Sequence, residues 1–152
     1  MRDYIIMTDS CCDLSQEVEE LELTVLPLSF TIEGKTLLNT PDHADMSPEE
    51  FFAKIAAGAD CTTAAVNVGQ FTDAMEKVLQ EGKDILCVCF SSALSTTYQS
   101  ACIAAEDLRE KYPEAKILVI DSLSASRGQG MLLYRAVRER REKNLTIDEL
   151  DA

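Results

Sequence analysis

The sequence predicts an α/β protein, a mainly parallel sheet flanked by helices. Three observations carry that reading. Short, continuous apolar runs recur at residues 4–8, 85–90 and 116–121, as expected of strands covered on both faces. Stretches with helical spacing and helix punctuation lie between them. The two kinds of segment alternate along the chain, which favours parallel strands joined by crossover helices.

Taken in order, the run YIIMT at residues 4–8 is the first strand. Residues 23–32, LTVLPLSFTI, read as a further strand. Pro27, lacking an N–H, suits an edge position or a strand end. Glu33-Gly34 offers a hairpin turn into residues 35–38. Ser47-Pro48-Glu49-Glu50 is a capping box with proline at the first helical position, and Gly58 can close that helix. The next helix places Phe71, Met75, Val78 and Leu79 on one face and stops at Gly82. After the strand at 85–90, Tyr98, Ala101, Cys102, Ala105 and Leu108 recur at helical spacing. A fourth helix, following Gly128-Gln129-Gly130, presents Leu133, Tyr134 and Val137. It ends in RERREK, whose cations suit the negative end of the helix dipole. Thr146-Ile147-Asp148-Glu149 is another capping box, only about one turn before the last residue. Residues 1–145 are therefore expected to form one α/β domain, and residues 146–152 the start of a helix leading to a second domain absent from this chain.

Composition narrows the function. A chain of 152 residues suits one domain, able to bury roughly two thirds of its unfolded surface. A net charge of -13 argues against nucleic acid or an anionic membrane surface as the main partner. No basic stretch followed by an apolar one opens the chain, so no export signal is expected. Residues 85–105 carry no charge, but their serines, threonines and glutamine read as a strand and a helix, not a membrane span. The six cysteines are expected to be reduced thiols in the cytoplasm. Cys87, Cys89 and Cys102 read as small buried hydrophobes. The Cys11-Cys12 pair has neither CxxC spacing nor a nearby histidine. No metal site or cofactor is expected. His43, the only histidine, lies in the acidic loop PDHAD and is expected to face solvent.

Three segments share one layout, a strand that ends in a hydroxyl-rich turn leading into a helix: TDSCCDLS, SSALSTTYQ and DSLSASRGQG. In an open α/β sheet all three turns lie at the carboxyl ends of the strands, where ligands bind. Helix N-termini there favour an anion. Asp13, Ser95 and Ser126 would serve as N-caps on the blander reading. The second turn, with Ser91, Ser92, Ser95, Thr96 and Thr97, has more hydroxyls than capping needs. The uncharged stretch CTTAAVNVGQFT, residues 61–72, reads as a loop or short strand, or as a pocket wall with a few polar handles. Val66, Val68, Phe71, Leu94 and Ile103 are candidate contacts for an apolar tail. A serine hydrolase would need a base beside its nucleophile, and His43 has no motif around it. Neither GxSxG nor GxxxxGK[ST] is present. An uncharged polar site for an acid group remains.

TDSCCDL, PLSFTIEGK, TTAAVNVGQF, FSSALSTTYQSA and IDSLSASRGQG resemble, in this order, the motifs of the DegV family. The resemblance covers essentially the whole chain and implies a Rossmann-like first domain of a two-domain protein. Members are bacterial, cytoplasmic, and bind a long-chain fatty acid between their domains. Several carry the acyl chain for a separate ATP-dependent kinase subunit, which phosphorylates the bound carboxylate. The resemblance implies a binding protein with no catalytic residues of its own. Thr63, following Thr62, takes the serine position of the family's TS motif. Ser95, with Ser92 nearby, takes the helix-start serine of SSxLSGTY. Thr96 replaces the glycine after it, and Asn67 is placed to offer a polar contact where the family has QPS. The implied fatty-acid contacts are thus Thr63, Ser95, Thr62, Ser92, Asn67 and Thr96. Head-group contacts from the family's second domain have no counterpart here, so residues 1–152 alone are expected to bind fatty acid weakly or not at all. The alternative is an enzyme, a hydrolase or phosphotransferase, using the same turn with groups from another domain.

Overall fold

Residues 2–15 and 17–151 are described by the computed structural model. The chain runs β1 (Tyr4–Asp9), a 3-10 turn (Ser10–Cys12), α1 (Glu17–Leu21), β2 (Thr24–Leu26), β3 (Leu28–Ile32) and β4 (Lys35–Asn39). It continues through α2 (Pro48–Ala56), β5 (Cys61–Ala64), α3 (Val68–Gln80), β6 (Asp84–Cys89) and α4 (Thr97–Lys111). It closes with β7 (Ile117–Asp121), α5 (Arg127–Lys143) and α6 (Ile147–Asp151). Two sheets result: a parallel one ordered β2-β1-β6-β7, and an antiparallel one ordered β4-β3-β5.

The parallel sheet is the middle of three layers, as its continuous apolar strands require. All six residues of β6 are buried. Successive side chains point to opposite faces, and each face meets its own helices. Met7, Ile85, Cys87 and Ile117 pack with Phe71, Met75 and Leu79 of α3 and Ala101, Ala104, Ala105 and Leu108 of α4. Tyr4, Ile6, Leu86 and Val88 pack with Leu21 of α1, Leu133 and Val137 of α5 and Ile147 of α6. Thr146 caps α6 reciprocally: its hydroxyl accepts from the Glu149 N–H at 3.3 Å, and the Glu149 carboxylate accepts from the Thr146 N–H at 2.8 Å.

Several expectations need correction. Residues 23–32 form two strands and not one, with Pro27 at a strand end, one of the two places expected for it. Pro27 breaks them into β2, at the edge of the parallel sheet, and β3, at the centre of the antiparallel one, because proline cannot donate to either ladder. The hairpin turn holds: Glu33 (φ 49°) and Gly34 (φ 75°) both adopt the positive φ that a tight β-hairpin demands. Gly128 and Gly130 lie inside α5 instead of before it. A Cβ on Gly130 would sit 2.9 Å from the Cys12 carbonyl oxygen, so only glycine lets α5 approach the turn after β1 so closely. Tyr134 is exposed and Cys102 only half-buried. Among the described residues no helix is long and apolar enough to cross a membrane.

Candidate functional site: a groove at the sheet switch point

The connection after β1 runs to β2 on one side, and the connection after β6 runs to β7 on the other. A crevice opens outside the carboxyl ends of two strands that diverge in this way. Here it is a groove of about 520 Å³. Cys11 and Asp13 from the turn after β1, and Phe90, Leu94 and Ser95 from the turn after β6, form one wall. The antiparallel sheet and α2 form the other, with Leu28, Ser29, Phe30, Leu38, Asn39 and Thr63 joined by Met46, Phe51 and Phe52. A larger hollow of about 760 Å³ lies at the opposite end of the parallel strands, lined by charged residues such as Arg2, Asp84, Lys116 and Arg140. None of the six sequence-derived contacts lines it.

Two of those six meet on the groove. Thr63 stands opposite Phe30 in the β3–β5 pairing, and Thr62 stands opposite Thr31. Neighbouring residues of a strand face opposite sides, so Thr63 shares the side of Phe30 while Thr62 is turned away. Ser95 lies just before α4. Its Oγ accepts from the Thr97 N–H at 3.2 Å and lies 3.0 Å from the Thr97 hydroxyl. A serine hydroxyl has two acceptor sites and one hydrogen. With the Thr97 hydroxyl donating, both acceptor sites are filled and the hydrogen is left to donate to an incoming oxygen.

Thr62, Ser92, Asn67 and Thr96 are not among the groove-lining residues. The Ser92 N–H donates to the Asp121 carboxylate at 3.1 Å. Asn67 caps α3 in a full capping box: its side-chain oxygen accepts from the Gln70 N–H, and the Gln70 side chain accepts from the Asn67 N–H. Thr96 immediately precedes α4 but makes no side-chain capping bond. Of the proposed apolar contacts, Leu94 lines the groove. Val66 and Phe71 are fully buried in the core, and Val68 packs against it. Ile103 is exposed on α4 and stands apart from the groove lining.

The N-cap expectations also shift. The Asp9 carboxylate, not that of Asp13, accepts from the Cys11 N–H at 3.0 Å to cap the 3-10 turn. Asp13 ends that turn at φ 51° and accepts from the Ser126 hydroxyl. Ser126 makes no capping bond to α5. His43 is exposed as expected, yet it lines the groove. The apolar lining of Phe30, Leu38, Met46, Phe51 and Phe52 was not read from the sequence. Helical spacing gives the face that Phe51 and Ile55 share, but not what that face covers.

Electrostatics separate two strand-end carboxylates. Burial raises the pKa of Asp9, against N–H donors from Phe90 and Cys11 that favour its charged form. The hydrogen bond from the Ser92 side chain holds Asp121 below the usual aspartate value. Burial, followed by the charge of Asp9, pushes the Cys11 thiol up to about 12, so it stays protonated near neutrality. A carboxyl-carbon NMR titration is expected to show Asp9 losing its proton at higher pH than Asp121. The folded state holds the Asp9 proton more tightly than the unfolded chain, so this group's contribution to stability falls as pH rises from the ordinary aspartate value through the raised one. Asp121 behaves oppositely: its contribution is present above the ordinary value and is lost as pH falls through the lowered one. The reverse order of titration would refute both assignments.

Residues 4–151 match the family described as "Uncharacterised protein, DegV family". The chain belongs to the DegV family. A DegV domain-containing protein of Clostridium perfringens is 37% identical over 151 residues, covering 99% of this chain and 51% of the relative. The chain thus spans about half the length of the curated DegV relatives it matches. Among solved structures, a fat acid (stearic acid)-binding protein from Eubacterium ventriosum superposes with a TM-score of 0.85 at 28% identity, covering 97% of this chain and 50% of that one. A DegV protein from Thermus thermophilus, described for its fatty acid binding, gives 0.83 at 30% identity, covering 99% and 51%.

Proposed function

We propose that the protein binds a long-chain fatty acid in the switch-point groove. The Thr63 and Ser95 hydroxyls donate to the carboxylate from opposite walls, and the acyl chain lies along Phe30, Leu38, Phe51, Phe52 and Leu94. The observation that carries this is the convergence of Thr63 and Ser95, from distant parts of the sequence, on one mainly apolar groove. The fatty-acid-binding descriptions of two structural relatives at 28% and 30% identity support the ligand class.

The two ends of such a ligand do different work. Each methylene buried contributes about 0.8 kcal/mol, so ten of them outweigh two hydrogen bonds to a charged group at about 1.5–3 kcal/mol each. The tail therefore supplies most of the affinity, and the hydroxyls select the acid and orient it. In the intact protein, segments beyond this half of the family's length close the groove over the tail, so residues 1–152 alone bind less tightly. A separate kinase subunit then transfers the γ-phosphoryl group of ATP to the carboxylate, leaving ADP and an acyl phosphate. The protein itself contributes binding and orientation.

Intact protein purified under native conditions, then denatured and extracted, is expected to release about one fatty acid per chain by mass spectrometry. An empty extract, together with no heat of binding on titration with stearate, would overturn the proposal.

A further inference from the structure

The two walls of the groove belong to different sheets, and among the described residues no strand pairing joins them. Two consecutive residues, Asp9 at the end of β1 and Ser10 at the start of the 3-10 turn, hold both. Asp9 is fully buried, and its carboxylate accepts from the Phe90 N–H at 2.8 Å, where the turn carrying Ser95 begins. The Gln129 side chain donates to the same carboxylate at 3.4 Å and to the Thr8 hydroxyl at 3.0 Å. Thr8 in turn donates to the Val88 carbonyl at 2.7 Å. Ser10, also buried, reaches the other way. Its Oγ accepts from the Leu28 N–H at 3.0 Å and from the Asn39 side-chain amide at 3.3 Å. Leu28 and Asn39 stand opposite each other on β3 and β4, and both line the groove.

We propose that Asp9 and Ser10 are positioning residues that set the distance between the Ser95 wall and the Thr63 wall. Neither needs to touch the ligand. Asp9 fixes the first wall to the end of β1, and Ser10 fixes the second to the next residue along the chain. Adjacent residues are 3.8 Å apart at Cα, so the spacing of the walls is tied to one peptide unit. This matters most for a head group gripped from both sides. A carboxylate with an oxygen for each wall senses the spacing, whereas an alcohol with a single oxygen is satisfied by one wall.

The inference rests on the fatty-acid reading, and one experiment tests the two separately. Stearate and stearyl alcohol are titrated into intact wild-type protein, Ser10→Ala and Ser10→Thr, with the unfolding midpoint of each recorded. Ser10→Ala is expected to weaken stearate about tenfold and stearyl alcohol less than twofold. Ser10→Thr, which keeps the hydroxyl, is expected to restore stearate binding. Equal losses for both ligands, or a lower unfolding midpoint with unchanged stearate affinity, would make Ser10 a merely structural residue and overturn the positioning role. If Ser10→Ala does not fold, Asn39→Leu takes its place, removing the weaker of the two bonds to Ser10. A selective loss of stearate of about threefold supports the inference, and an equal loss for both ligands overturns it. Failure of the wild-type protein to bind stearate overturns the fatty-acid reading and this inference with it.

Discussion

Replacing Thr63 and Ser95 together with alanine is expected to weaken stearate binding by the intact protein about a hundredfold without abolishing it. Each hydroxyl that donates to a carboxylate contributes at least about 1.4 kcal/mol, a factor of ten. The residual affinity is that of the tail. Thr63 is exposed, so its loss leaves the fold intact. Ser95 accepts the Thr97 N–H at 3.2 Å, so its loss costs about 1 kcal/mol of stability, as for other capping hydroxyls. Thr62→Ala is the internal control. It lies next to Thr63 in sequence but faces the other side of β5, and its replacement is expected to leave affinity unchanged. A double variant that binds stearate within twofold of wild type, or a Thr62→Ala that loses as much, would place the head group elsewhere.

Phe71→Ala is expected to lower stability by about 3–5 kcal/mol, read as a shift in the urea unfolding midpoint. Phe71 is fully buried between α3 and the parallel sheet, in contact with the same cluster as Met7, Met75 and Cys87. The sequence allowed a second role for it, as a wall of the ligand pocket. These roles give different results. A core residue costs stability and leaves the affinity of the folded protein near wild type. A pocket residue changes affinity with little effect on unfolding. A midpoint within about 0.5 kcal/mol of wild type would refute the core assignment.

The parallel sheet was legible because both faces of it are covered. A strand buried on two sides must be apolar throughout, and ILCVC at residues 85–89 reads that way with no knowledge of its neighbours. The antiparallel sheet was less legible. The segment at 23–32 has uniform strand character on both sides of Pro27, and only the third dimension assigns its halves to different sheets. In the candidate groove, the Thr62-Thr63 pair and the hydroxyls of the turn before α4 were visible in uncharged surroundings, and the family resemblance singled out Thr63 and Ser95 among them. Their partners in the groove were not, because Phe51, Phe52 and Met46 sit on a helix and a loop whose pattern looks like an ordinary amphipathic surface. Asn67 is engaged locally, away from the groove lining. Its pairing with Gln70 is the local signature of a capping box, and the side chain is spent on its own helix.

Helix α2 has no buried residue in its nine. It is held by the edge-on contact of Phe51 with Phe30, ring centres 5.4 Å apart, and by the Lys54–Glu33 ion pair at 2.8 Å, among a few surface contacts. Most helices in folded proteins gain their stability from an apolar face packed against the interior. On the proposed reading the interior that α2 lacks is the acyl chain itself. The lipid is then less a passenger than the missing layer of a core, and loading the protein completes its folding on that side.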